Sequence, residues 1–217
     1  AGQLKASSKF RRTTHRTLVK KEGELPSNAL PGKVIASYGR FLLVSELLEG
    51  KASWAKPIEC TQGGALINCN DDTAYVAVGD NVWFLKEKSL NDDGIESGSI
   101  VMVEERKNRF SRLEPGKTTR EQTIATNLDI LLIMASAKNP RLNNRLIDRF
   151  LIAAELGDVK PIILVNKIDL LKKNQLQQIK DLMKVYEDLS IPVFYISIKN
   201  GIKDEDILLS ALTGRST

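Results

Sequence analysis

The sequence predicts a β + α/β chain: a small all-β unit, either a barrel or a sandwich, followed by an α/β unit with a parallel sheet. Three observations predict it. Residues 30–103 hold five or six short runs rich in β-branched and aromatic residues, separated by turn residues. From 123 onward, continuous apolar runs alternate with amphipathic helical patterns. Between them, 104–122 is charged and carries Pro115-Gly116, as a linker does.

The elements follow in order. Residues 1–28 lack apolar periodicity and are expected to be disordered when free. Residues 29–105 form the β unit. Its runs are "KVIASYG", "RFLLVSELL", "SWAKPIEC", "TAYVAVGD", "NVWFLKEK" and "GSIVMVEE". Gly39, Gly50, Gly63–Gly64, Asp71–Asp72 and Asp92–Gly94 mark its turns. The aromatics Tyr38, Phe41, Trp54, Tyr75, Trp83 and Phe84 either fill its core or offer stacking faces to bases. Residues 106–122 are the linker, and 123–217 the α/β unit. There "LDILLIMAS" (128–136) is a strand buried on both faces. Leu146, Ile147, Phe150, Leu151 and Ala154 recur at helical spacing after Pro140. "PIILV" (161–165), an amphipathic helix from Leu176 to Leu189, "IPVFYIS" (191–197) and a helix over 203–212 complete β-α-β-α-β-α.

Composition narrows the function. The chain has 217 residues and a net charge of +5. Lys5, Lys9, Arg11, Arg12, Arg16, Lys20 and Lys21 lie in the first 21 residues with no acid, leaving 25 basic against 27 acidic residues in 22–217. The positive character therefore belongs to the arm. A basic arm on a near-neutral body suits nucleic-acid binding by counterion release; a solvated tail is the alternative. No run is long and apolar enough for a spanning helix or a secretory signal. The two cysteines, Cys60 and Cys69, form no C-x-x-C, and the one histidine is His15. A reduced cytoplasmic protein, with no metal site in these residues, is expected.

Asn166-Lys167-Ile168-Asp169 follows directly on a strand end, where ligands sit in parallel α/β sheets. Guanine presents two adjacent donors, N1–H and the 2-amino group, and one carboxylate accepts both. Adenine lacks the amino donor and turns a lone pair toward the acid. Asp169 would thus select guanine. Asn166 would tie the loop to its neighbours, and the stem of Lys167 would cover a ring face. The plain alternative is a polar loop with Asp169 capping a helix. Ser197-Ile198-Lys199, at the end of the next strand, favours the guanine reading. As the corresponding position does in guanine-nucleotide-binding proteins, it would supply a hydroxyl to buttress the aspartate, a backbone N–H for the base's O6 and a second lysine stem.

A triphosphate site also needs G-x-x-x-x-G-K-[ST]. Gly116-Lys117-Thr118 is no such loop, because Ser111 stands at the first glycine and Pro115 lacks an N–H. No D-x-x-G occurs either. The base-reading loops therefore come first and the phosphate loop is missing from these residues, an order that circular permutation produces.

The sequence resembles the ribosome small-subunit-dependent GTPase A family (RsgA/YjeQ type), which is circularly permuted. The resemblance rests on "VGDNVWF" (78–84), "RKNRFSRLEPG" (106–116), "REQTIATNLDILLIM" (120–134), "NNRLIDRFLIAAE" (143–155), "PIILVNKIDLL" (161–171) and "ALTGRST" (211–217), and spans nearly all of 30–217. It implies an OB-fold barrel docked on rRNA, then the first part of a permuted P-loop GTPase domain. It implies GTP or GDP with Mg²⁺, held through a phosphate loop beyond Thr217, and a zinc domain further on. It implies a role in late maturation of the small (30S) ribosomal subunit. Ile198 departs from the small residue common in the family. These 217 residues alone, with no catalytic residue among them, are expected to be inactive, and a monomer is expected. A non-enzymatic RNA-binding protein with a degenerate GTPase-like domain is the competing reading.

Overall fold

The computed structural model describes residues 24–39, 41–48, 51–52, 56–69, 76–90, 96–113, 121–200 and 205–217. The first unit is a closed five-stranded barrel. β1 (Leu30–Tyr38) and β2 (Phe41–Leu48) form an antiparallel hairpin, with Tyr38 opposite Phe41 across the turn at Gly39. β3 (Lys51–Ala52) pairs with the end of β2. β4 (Ile58–Asn68) continues antiparallel to β2. β5 (Asn81–Leu90) and β6 (Glu96–Val103) form a second hairpin. β6 runs parallel to β4, and β5 pairs with β1 and closes the ring. This order, β1-β2-β4-β6-β5-β1, is that of an OB-fold. Closure leaves no long edge among those five strands, and alternate residues point inward. Val34, Leu42, Val44, Ile58, Cys60, Val82, Phe84 and Ile100 fill the interior.

Two expectations about the barrel change. Gly63–Gly64 lie inside β4 rather than in a turn, and the β4–β6 register shifts between Gln62 and Ile67. Glycines within a strand accommodate such a bulge. "TAYVAVGD" is not a strand over its described part, 76–80. There Asp80 turns back and its carboxylate accepts from the Ala77 N–H at 2.8 Å, which makes a tight loop instead.

The stretch expected as a linker carries structure of its own. β7 (Arg109–Leu113) and β8 (Glu121–Thr126) pair as an antiparallel hairpin. Its root joins the barrel. Thr126 N–H donates to the Val78 carbonyl at 2.9 Å, and Gly79 N–H donates to the Val34 carbonyl at 2.8 Å. Gly79 has φ +93, and a Cβ there would overlap the Thr126 carbonyl. Only glycine allows both the turn and the approach. Asp80 sits at the centre, 1% exposed. It accepts both Arg106 Nε and a terminal guanidinium nitrogen at 2.8 Å, and the Thr126 hydroxyl at 2.7 Å.

The α/β unit then runs β9 (Ile130–Ser136), α1 (Asn144–Leu156), β10 (Lys160–Asn166), α2 (Lys173–Asp188), β11 (Val193–Tyr195) and α3 (Glu205–Leu212). The three strands are parallel in the order β11-β10-β9. Ile133, Ile163 and Val165 pack against Ile147 of α1 and Met183 and Tyr186 of α2. Leu132, Leu164 and Ile196 pack against Leu208 and Leu212 of α3 on the other face. Helices on both faces explain why β10 reads as an unbroken apolar run. β9, expected to be buried on both faces, is not, because it lies at the edge of the described sheet and Met134 is exposed. α1 begins at Asn144, not Pro140. Asn143 caps it, accepting from the Leu146 N–H at 3.3 Å, and Pro140 lies in the turn before it. The helix ends at Gly157, where a Cβ would overlap the Arg109 carbonyl, so hairpin and helix end meet closely. Among the described residues no helix is long and apolar enough to cross a membrane.

Candidate guanine-base site

β10 and β11 end side by side, and their parallel register brings two separate loops together. The first is 166–170. Asn166 is buried at the end of β10, and its side-chain oxygen accepts from the Lys167 N–H at 2.7 Å and the Ile198 N–H at 3.3 Å. One amide thus bonds both loops. Lys167 takes the left-handed conformation, φ 65, and turns the chain into a single 3-10 turn, Ile168–Leu170. That turn presents Asp169. The Ile168 N–H donates to the Ile196 carbonyl at 3.3 Å, a second tie to β11.

The second loop follows β11. Ser197 is buried; its hydroxyl donates to Asp169 Oδ1 at 2.7 Å and accepts from the Asn200 N–H at 3.3 Å. A hydroxyl has one proton, so accepting from Asn200 leaves that proton directed at the carboxylate. Asp169 is half-buried and its Oδ2 has no partner among the described residues. Ile198 and Lys199 are exposed.

Asn166, Lys167, Ile168, Asp169, Ser197 and Ile198 therefore lie in one bonded cluster, with Lys199 next along the chain. The Ile198 N–H is directed at Asn166. A base's O6 would share it or draw on another donor. The loop after β9 is part of the same site, and sequence reasoning missed it. The Ala137 N–H donates to the Asn166 carbonyl at 2.9 Å, and Lys167 Nζ reaches the Asn139 carbonyl. Asn139, at φ 52, precedes Pro140. Asn-Pro after a strand was the available signal, and it marks a turn without saying what the turn holds.

The six barrel aromatics divide. Phe84 is fully buried in the core. Trp83 is half-buried and donates from Nε1 to Glu104 at 2.8 Å. Tyr38 and Phe41 are exposed at 66% and 41%, side by side at the β1–β2 turn. Trp54 and Tyr75 lie outside the described residues, as do all seven bases of the arm. The described residues offer no cluster of three His, Cys, Asp or Glu.

The family model described as RsgA GTPase matches residues 103–217. The small ribosomal subunit biogenesis GTPase RsgA of Haemophilus influenzae (strain PittGG) is 36% identical over 157 residues, covering 71% of this chain and 43% of that protein. The protein of the same name from Chlorobaculum parvum is 32% identical over 169 residues, covering 73% and 53%. The chain spans about half the length of the curated relatives it matches. In fold it is similar to YjeQ from Thermotoga maritima, with TM-score 0.60, 24% identity, and 86% of this chain and 58% of that one covered. It is likewise similar to YloQ, a circularly permuted GTPase, with TM-score 0.58, 23% identity, and 89% and 60% covered. An OB-fold barrel leading into a parallel α/β unit, with the family model matching more than half of the sequence and a relative 36% identical over 71% of it, makes this chain a member of the RsgA GTPase family.

Proposed function

We propose that this chain is the rRNA-docking and base-reading part of a GTPase that acts in late maturation of the small ribosomal subunit in the cytoplasm. The observation that carries the reading is the Ser197–Asp169 hydrogen bond of 2.7 Å, made between loops that Asn166 also ties together. Asp169 is thereby held with one oxygen buttressed and one open, the arrangement a carboxylate needs to accept guanine N1–H and the 2-amino group. Lys167 and Lys199 flank it and would cover the ring faces with their stems. Ile198 would contribute through its backbone, so its large side chain matters little.

Bound GTP or GDP carries Mg²⁺ in such enzymes, and that chemistry belongs to phosphate-side groups absent from these 217 residues. What these residues do is bind and orient the base. The arm bases Lys5, Lys9, Arg11, Arg12, Arg16, Lys20 and Lys21 would contact rRNA phosphates, and Tyr38 and Phe41 would stack on unpaired bases. The protein would act as a monomer on the 30S subunit.

The test is base selectivity. Asp169→Asn replaces an acceptor by an amide whose N–H₂ pairs with the 2-carbonyl of xanthine. Ligand-observed NMR with guanosine and xanthosine reads the preference on this chain, and GTP against xanthosine triphosphate reads it on a protein that has the phosphate loop. Guanosine preferred by the native chain and xanthosine by the variant is expected. Unchanged selectivity overturns the assignment of Asp169.

A further inference from the structure

We propose that the groove between the β7–β8 hairpin and α1 docks a helical acidic peptide carrying aliphatic anchors, a site separate from the base-reading loops and independent of them. The groove holds about 980 Å³ and is formed where the Phe110 ring of β7 stacks on Phe150 of α1, centroids 6.0 Å apart. Its walls are apolar and open. Ile124 is 42% exposed, Leu146 47%, Ile152 61% and Leu156 82%. Four such aliphatics on one continuous surface are more than scattered surface residues, and patches of this kind mark interaction sites.

The dimensions suit a helix. Leu146, Phe150, Ala153 and Leu156 line the groove at helical spacing along α1. They run over eleven residues, a rise of about 15 Å, which matches about three turns of a partner helix. A helix laid in an apolar groove uses anchors at i, i+3 or i+4, and i+7.

Charge selects the partner. Among the described residues Arg109, Arg112 and Arg149 line the groove, with Glu121 as the acid. Arg109 lies 3.6 Å from Glu121, and Arg112 bonds to Gln122 at 3.3 and 3.4 Å. This basic rim stands on a body that carries 25 basic and 27 acidic residues over 22–217. It repels the chain's own basic arm and attracts an acidic segment. RNA would share the attraction to arginine. However, the most exposed apolar residues of the lining are aliphatic, and its two aromatic rings stack on each other with Phe110 buried, which favours aliphatic anchors over bases.

The experiment selects 16-residue peptides from a display library on the intact 217-residue chain. A double variant, Leu156→Asp with Arg112→Glu, serves as counter-target. Both residues are exposed, so the variant keeps its fold, checked by an unchanged circular dichroism spectrum and melting temperature. The expected result is a consensus of aliphatics at i, i+3 or i+4, and i+7 with flanking Asp or Glu. The double variant should bind it about 30-fold or more weakly. Arg112→Glu alone should weaken it, and exchanging the peptide's acids for lysines should restore binding to that variant. No enrichment over the counter-target, or a basic consensus, overturns the proposal. So does a 16-nucleotide RNA that displaces the peptide and binds more tightly. A concentration-dependent dimer abolished by Leu156→Asp also overturns it, since the occupant is then a second copy.

Discussion

Asp169 and Cys60 are both set by their neighbours, in opposite ways. Asp169 accepts from Ser197 on one oxygen, and its other oxygen has no partner among the described residues. On the proposed reading guanine would donate two hydrogen bonds to this charged acceptor, and turning an amide donor against the 2-amino group in place of one of them would cost several kcal/mol. In a protein with the phosphate loop, Asp169→Asn should therefore change the GTP-to-xanthosine-triphosphate preference by about 100-fold or more, measured by competitive binding. Cys60 is fully buried in the barrel. Burial, then the nearby Glu87 and Glu59 charges, push its thiol up to about 12. Cys69, partly exposed, has no such seclusion. A thiol reagent at pH 8 should label one cysteine of the folded chain and the second only on unfolding. Because the folded thiol holds its proton to higher pH than the unfolded one, stability should fall as pH rises from about 9 toward 12. Rapid labelling of both cysteines in the folded state would show that the barrel opens.

At the scale of elements, the β7–β8 hairpin is the piece that joins the two units. Its residues are charged and include Pro115-Gly116, which reads as a linker when only composition is considered. What orders its strands is packing at both ends. Gly79 and Thr126 meet at the barrel, and Gly157 meets Arg109 at the end of α1. Asp80 and Arg106 lock the barrel end, 1% and 5% exposed at the side chain. Removing one partner of a buried ion pair leaves the other charge without compensation. Asp80→Ala should destabilise the chain by about 3–5 kcal/mol, read by urea denaturation. A drop in stability below about 1 kcal/mol would mean water replaces the carboxylate. Asn108 and Asn127 add further ties around the same junction. Asn108 accepts from the Leu128 N–H at 2.8 Å, and Asn127 donates to the Gly79 carbonyl at 2.9 Å.

For the whole molecule, the division of labour follows charge and order along the chain. The arm holds seven basic residues and no acid, ahead of a barrel with two exposed aromatics at one turn. Deleting 1–21 should weaken binding to small subunits. It should also flatten the log–log salt dependence by about 0.7–0.9 for each phosphate the arm no longer neutralises. An unaltered slope would leave the arm as a passive tail. The candidate base loops lie within these residues, and no G-x-x-x-x-G-K-[ST] segment does. Turnover of GTP by the 217-residue chain should not exceed that of buffer. Measurable turnover would place catalytic groups among residues given no such role here.

Much of this was written locally, and the rest was not. Strand and helix periods, Gly and Asp turns, and N-K-x-D after an apolar strand are patterns over four to fifteen residues. Sterics and side-chain periodicity force them wherever they occur. The β-α-β-α-β-α order and the candidates Asn166, Asp169 and Ser197 were legible for that reason. Barrel or sandwich was not, because closure depends on β5 meeting β1, a pairing between residues some fifty positions apart. The loop at Asp80, the ordered hairpin and the place of Asn139 beside Lys167 were equally hidden. Each depends on a partner distant in sequence, Arg106, Gly157 or the end of β10, and no local propensity encodes that partner. The chain spells out its elements and the residue types of its candidate base loop. Long-range packing alone settles which strand closes the barrel, which charged segment pairs as a hairpin, and which oxygen of Asp169 accepts from Ser197.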